Sequence, residues 1–453
     1  MVWSLQLVVT SAVSPVLAHL LTPVQFGQVA TSVAVYQVLI VLAVFGLDQA
    51  IIVEFASGTN GRARAAAVAS FGALVATGVT VLIFVLGPLW SRAIGFDSFT
   101  GIIMLAVLWT GPSAVCLLIL ALLRAQDRIG GFFAVSVLSS IGGQVLGVFL
   151  LLGGSRSTTT YGWAGVISQC AGMGLGLIVV GYRPTRHVIE WEASRRALSL
   201  GAPMAAAALS MFVLNAGDRI VLQRMLGSAA VGRYQIAYTV GSVGILMMAF
   251  LNQAWLPRIL AVADADARWQ LVAASRDRLL RLLVPSVIAL VIVAPIALEL
   301  VAPERYTPRS LVVVVFWVAI AAFPVADCAA SSRALLALRR PLPLALCTLV
   351  AAVANIVLNI ALIPSLGLAG SALATAVAFS LQALLARVAL SRRVLLPQPT
   401  LGVVALVGAG CAVAGLSTLA PSSGGWLLVR LATVGGLVAW ALVELRFAAR
   451  AKL

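Results

Sequence analysis

The chain has 453 residues, 62% of them hydrophobic and only 10% charged, with 30 Lys and Arg against 14 Asp and Glu for a formal net charge of +16. Soluble globular domains carry about 25% charged residues, so composition excludes a water-soluble enzyme. The basic excess lies in short connections between apolar stretches, which excludes a nucleic-acid footprint and predicts no nucleic-acid partner.

Apolar stretches run in succession at 2–21, 27–53, 67–90, 101–123, 132–153, 161–181, 198–226, 233–257, 279–302, 310–336, 343–363, 368–390, 400–420 and 424–445. A hydrocarbon core ~30 Å thick is crossed by about 20 helical residues. Lipid satisfies no backbone polar group, so each crossing must be a helix. The pattern predicts an all-α polytopic membrane protein with about 14 transmembrane helices.

The first span has no charge before Gln6 and no basic leader, so it does not read as a cleavable signal. The chain begins almost inside the membrane, which fits a start codon placed too late or a short missing segment. The second span carries Tyr36 and Gln37, then Asp48 and Gln49 in its last third, and ends near Glu54. A carboxylate at this depth is costly and reads as a cavity or ion-coupling group. A helix-end carboxylate reaching the surface is the alternative for Asp48, and the favoured reading for both Asp48 and Glu54. Spans three to six add Pro112, Gln144 and Gln169. The connector YRPTRHVIEWEASRR then forms the longest charged loop and predicts an amphipathic linker over 183–197.

In the seventh span, Asn215, Asp218 and Arg219 fall at i, i+3 and i+4 on one helix face, with Arg224 further on. Adjacent Asp218 and Arg219 are not expected to point the same way. One reading is a cavity-lining cation for a phosphate or acidic sugar, since the guanidinium fork binds phosphate oxygens in two places. The other is a structural ion pair. The eighth span carries Asn252 and Gln253, the tenth Asp327 and Arg333, and the eleventh Asn355 and Asn359 one turn apart. Asp327 is deep enough to be a cavity candidate, while Arg333 reads as a cytoplasmic anchor. The uncharged amides fit hydrogen bonds between helices, worth about 1 kcal/mol each. Pro112, Pro203, Pro285, Pro295 and Pro324 predict kinks. Spans 13 and 14 follow the linker LLPQPTLG, and Arg430 falls inside the last one.

Loops after even-numbered spans with the span ends beside them, Arg276, Arg333 and Arg387 included, and the C-terminal tail hold 22 of the 30 basic residues, and loops after odd-numbered spans with their adjoining span ends about seven. Basic loops stay cytoplasmic on insertion. Both termini are therefore expected in the cytoplasm, and the basic loops against anionic inner-leaflet lipid. The five cysteines stand singly in apolar surroundings, and His19 and His187 have no metal-type spacing, so no metal or cofactor is predicted.

An internal repeat appears at an offset of 205: LLTPVQFG ending at Gly27 matches MLGSAAVG ending at Gly232, and YGWAG from Tyr161 matches LGLAG from Leu366. LLRAQDR from Leu122 resembles LLALRRP from Leu335 at an offset of 213, the longer first-half linker GGSRSTTT absorbing the difference. The spans then divide into two parallel six-helix repeats plus two extra C-terminal helices. The expected units are an N-terminal bundle 1–182, the linker 183–197, a C-terminal bundle 198–393 and an appendage with its tail 394–453. Transporters built from such repeats bind substrate between the halves and expose it alternately to either side.

Three segments resemble bacterial polysaccharide-lipid flippases of the multidrug/oligosaccharidyl-lipid/polysaccharide exporter superfamily. LLTPVQFGQVATSVAVYQVLIVLAVFGLDQAIIVEFA is similar to their first two helices, LNAGDRIVLQRMLGSAAVGRYQIAYTVGSVGILMMAFLNQAWLPRI to the seventh and eighth, and LLALRRPLPLALCTLVAAVANIVLNIALIPSLGLAGSALATAVAF to the tenth to twelfth. Departures are Thr22 in place of the usual Gly, Ser371-Ala372 in place of Ala-Ala, and no basic segment before the first helix. The resemblance implies two six-helix bundles around a cavity, in the inner membrane. It implies movement of an undecaprenyl-pyrophosphate-linked sugar unit from the inner to the outer leaflet, with polymerases or glycosyltransferases of the pathway as possible partners beside membrane lipids. A drug or cation antiporter of the same superfamily would carry more acidic than basic groups at its cavity. A glycan polymerase or ligase would need a large periplasmic loop, and none here exceeds about 10 residues. No phosphate loop, GxSxG or paired-carboxylate motif marks an enzyme.

Overall fold

A computed structural model describes residues 2–57, 60–181, 190–248, 258–259, 261–392, 394, 396–420 and 426–450. Among them every regular element is helical. Ten helices are long and apolar enough to cross a membrane, and shorter apolar helices cover Val9–Leu20 and Leu401–Ser417. One of the ten, Pro341–Ser391, contains two predicted spans that meet at Gly367, whose φ of 56° interrupts the helix. The chain divides into two compact units, residues 1–232 and 233–453.

The first unit contains α1 (Val2–Leu20), α2 (Pro23–Val44), α3 (Leu47–Ala56), α4 (Gly61–Val85), α5 (Gly87–Ala93), α6 (Ile102–Ala125), α7 (Ile129–Val137), α8 (Gly143–Gly153), α9 (Thr158–Val180), α10 (Trp191–Leu226) and the first turn of α11 (Ser228–Gly241). Thr22 caps α2. Its hydroxyl accepts from the Gln25 amide at 3.3 Å, and the Gln25 side chain accepts from the Thr22 amide at 3.0 Å. Pro23 fits the first helical turn, where no N–H is needed. The central helix is α6, with 72% of its apolar window buried among α2, α3, α4 and α9.

The second predicted span is not one helix. It breaks at Phe45 and Gly46, both left-handed at φ 50° and 72°. The break faces Gly201 of α10, where a Cβ would collide with the Phe45 carbonyl, and a Cβ on Gly46 would meet the Gly201 backbone in turn. Two main chains thus touch at a point that only glycine permits. Gly27 and Gly232, the glycines that end the repeat anchors, also touch: a Cβ on either would strike main chain of the other segment. The fifth span likewise contains a π-turn, Leu138–Gly142. Its Leu138 and Ser139 carbonyls accept from the Ser168 hydroxyl at 2.6 Å and the Gln169 amide at 2.9 Å.

Of the linker expected over 183–197, the described part is helical and continuous with the seventh span, giving α10 36 residues, or ~54 Å at 1.5 Å per residue. That exceeds the membrane, so α10 extends beyond it. α10 packs on α2, α3 and α4, in the first unit.

The second unit contains the rest of α11, α12 (Ala265–Val301), α13 (Val312–Ile320), α14 (Ala322–Ala337), α15 (Pro341–Ser391), α16 (Leu401–Ser417) and α17 (Trp426–Arg450). Helices α13 and α14 part at Ala321, where Pro324 has no N–H for the Ile320 carbonyl. Here the central helix is α12, again with 72% of its apolar window buried. In the predicted repeat it corresponds to α4, whose apolar window is only 17% buried. The difference comes from the appendage: α16 and α17 both pack along α12 and cover a face that α4 leaves open.

Candidate functional site

The polar residues predicted at membrane depth fall into separate local clusters. Asp48 lies in the first turn of α3, just past the helix break. A carboxylate there is favoured by the free amides and the helix dipole. It accepts from the Gln49 side chain at 2.7 Å, and both residues are half-buried. Glu54 pairs with Arg64 of α4 at 3.1 Å and with Arg196 of α10 at 3.7 Å, its side chain only 13% exposed. It therefore ties three helices together instead of extending to a surface.

Asp218 and Arg219 are both buried. Although adjacent in sequence, they do meet: Arg219 folds back so that Nη1 donates to Asp218 Oδ1 at 2.6 Å and to the Asn215 carbonyl at 2.7 Å. The Asn215 amide donates to the Met211 carbonyl at 2.8 Å, and Arg224 is exposed. One turn past Arg219, buried Gln223 joins α10 to the rest of the unit. It accepts from Thr31 at 3.3 Å and donates to the Gly95 carbonyl at 3.0 Å. Asn252 and Gln253 lie outside the described residues.

Asn355 and Asn359 are fully buried in a ladder between the two halves of α15. Asn355 donates to Thr375 at 3.4 Å, Asn359 to the Asn355 carbonyl at 2.8 Å, and Ser371 to Asn359 Oδ1 at 2.6 Å. Ser371, which replaces the commoner Ala, is thus a working member of the ladder.

Asp327 of α14 pairs with Arg387 of α15 at 2.7 Å. Both line a cavity of about 330 Å³ whose other walls include Leu280, Phe323, Leu384, Val403, Val404 and Val407, from α12, α14, α15 and α16. The cavity is thus apolar with one ionic end. Arg276 acts electrostatically on Asp327 as well. It is 1% exposed and pairs with its neighbour Asp277 at 2.9 Å.

Arg333 is not the exposed anchor its position near a helix end suggests. It is 2% exposed, and one of its nitrogens, Nη2, donates to Ser275 Oγ of α12 at 3.3 Å. Arg276, Arg333 and Arg387, assigned from sequence to basic loops, all lie within helices. Helix ends predict snorkelling. Here Arg333 is instead buried, with Ser275 of α12 as its hydrogen-bond partner. No group of three or more His, Cys, Asp or Glu that could hold a metal occurs among the described residues.

This helical architecture is that of a known class of membrane transporters. The lipid II flippase MurJ, in an inward closed conformation, matches 98% of this chain and 99% of its own length at a TM-score of 0.72 and 14% identity. An inward-facing multidrug resistance MATE family transporter of the MOP superfamily matches 88% of this chain and 95% of its own, at a TM-score of 0.67 and 15% identity. The eukaryotic MATE transporter AtDTX14 covers 90% and 95%, at 0.55 and 17%. At these identities the likeness is one of fold. No curated protein matches the sequence. The family model described as polysaccharide biosynthesis protein matches residues 5–262, more than half of the chain, and the chain belongs to that family.

Proposed function

We propose that this protein flips a polyprenyl-pyrophosphate-linked oligosaccharide from the inner to the outer leaflet of the cytoplasmic membrane, for surface polysaccharide assembly. The observation that carries this reading is membership of a polysaccharide biosynthesis family on a fold shared with a lipid II flippase. Two helix bundles give alternating access, both termini are cytoplasmic, and glycosyltransferases or a polymerase of the same pathway supply and consume the glycan. The apolar cavity with Arg387 and Asp327 at one end suits an amphiphile, with a chain against the valines and an anionic group at the guanidinium. Asp48, Asp218, Arg219 and the Asn355–Asn359 ladder are the remaining candidates for substrate or ion contacts.

The MATE-like fold also admits a drug or cation antiporter. Charge at the second-unit cavity is balanced, Arg387 against Asp327, and it is the family membership that favours the flippase. The test is deletion of the gene in a strain with no paralogue. Loss of one surface glycan is expected, with its lipid-linked precursor retained on the cytoplasmic face. Normal glycan display refutes the reading.

A further inference from the structure

The second unit buries more positive charge than it pairs. Arg333 is 2% exposed, and its Nε and Nη1 have no hydrogen-bond partner among the described residues. Its one bond goes to a neutral hydroxyl, Ser275 Oγ, and no ion pair reaches it among the described residues. Beside Ser275 in α12, Arg276 is 1% exposed and turns both Nε and Nη2 to Asp277 Oδ1, each at 2.9 Å. A buried guanidinium without a counter-ion costs several kcal/mol, and a fold gains nothing by retaining one at a place where Leu or Met would pack.

The cavity lining includes neither Arg333 nor Arg276 but reaches the next turn of α12. Leu280, one of its lining residues, stands one helical turn from Arg276 on the same face of α12. Arg387, at the cavity's ionic end, is a third cation, held by Asp327. The two donors left open on Arg333 belong to a planar, permanently charged fork of the kind that takes a phosphate by two oxygens.

We infer that Arg333, together with Arg276, is an anion site for a phosphate or pyrophosphate group reached from the second-unit cavity. In the flippase reading that group is the head of the lipid-linked substrate; the site itself rests on the unpaired guanidinium and stands without that reading. Arg333 is then kept at a cost to stability for the sake of the ligand.

The test uses the full chain purified in detergent, with farnesyl pyrophosphate, inorganic pyrophosphate and farnesol as probes. Arg333→Met is expected to keep or raise the melting temperature of the ligand-free protein while weakening farnesyl pyrophosphate binding tenfold or more. Arg333→Lys, with charge but no fork, is expected to fall between Met and wild type. Farnesol binding should be unchanged in both. Equal affinity for inorganic and farnesyl pyrophosphate in the wild type assigns the site to free anions. Preference for the farnesyl form assigns it to a lipid head. The inference is overturned if wild type binds farnesyl pyrophosphate no better than farnesol, or if Arg333→Met keeps wild-type affinity. It is overturned equally if both variants lose ligand-free stability, which makes the guanidinium a structural donor. Glycan display in the deletion strain is a separate readout, so failure of this site leaves the flippase reading standing.

Discussion

Arg430 gives the sharpest test of how the appendage is held. It lies in α17, 5% exposed in an apolar helix. Its Nη1 donates to the Ile292 carbonyl of α12 at 2.7 Å, and its Nη2 to the Ser417 and Ala420 carbonyls at 3.2 and 2.7 Å. Ser417 ends α16, and its carbonyl has otherwise only a long bond from the Ala420 amide, at 3.4 Å. Ile292 lies beside the turn weakened by Pro295, which has no N–H for the Val291 carbonyl. A single guanidinium therefore caps one helix and fastens two others. Hydrogen bonds from a charged donor contribute about 1.5–3 kcal/mol each. Three would reach roughly 4.5–9 kcal/mol if additive, but removing the Arg also removes its own burial penalty. A net loss of about 2–4 kcal/mol is expected for Arg430→Ala. In thermal unfolding of the detergent-solubilised protein, ~2.1 cal/mol/K per residue over the 453-residue chain turns that loss into a transition lowered by about 2–4 °C. Arg430→Lys has one ammonium for three carbonyls and should recover only part of it. A transition for Arg430→Ala within about 1 °C of wild type refutes the reasoning, because it would mean the three carbonyls do not depend on this donor.

Further outcomes follow from the first unit. Gly201→Val drives a side chain into the Phe45 carbonyl, so expression and melting temperature should both fall, by more than about 2 kcal/mol; wild-type stability would show that the two main chains do not touch. Arg219→Ala breaks the buried ion pair with Asp218 and should cost about 3–5 kcal/mol. The double variant Asp218→Asn, Arg219→Ala should regain part of that loss, and equal stability of single and double variants would remove the ion pair as the cause. Reporter fusions after Arg64, Arg128, Arg196 and Arg340 should report cytoplasm, and those near Thr22, Arg156 and Pro364 periplasm. A reversed pattern refutes the two-repeat topology.

The class of this protein was legible in its sequence because lipid imposes a constraint that composition alone must meet. Any stretch that crosses must be apolar and helical, so the succession of spans, their basic connections and the apolar appendage could be read without knowing any contact. The repeat was legible for a related reason. Gly27 and Gly232 match because each sits where the other segment's main chain passes, and no other residue fits. Helix interruptions were less legible. Phe45 is an ordinary helix residue until Gly201 approaches, and the π-turn at Leu138–Gly142 depends on donors 30 residues away. Charge burial was the least legible. A cation near a helix end can reach water or be covered by a neighbour, and the sequence of its own helix is the same in both cases. Asp218 and Arg219 find each other, Glu54 finds Arg64 and Arg196, and Arg333 is buried with the Ser275 hydroxyl as its one hydrogen-bond partner among the described residues. The pattern of apolar residues along the chain determined that there would be membrane helices and roughly where. Which charges became paired, and which were buried at a cost, was decided by packing, both within one helix as for Asp218 with Arg219 and between helices as for Glu54 with Arg64 and Arg196, since the energy of a buried charge depends on all the groups that packing brings around it.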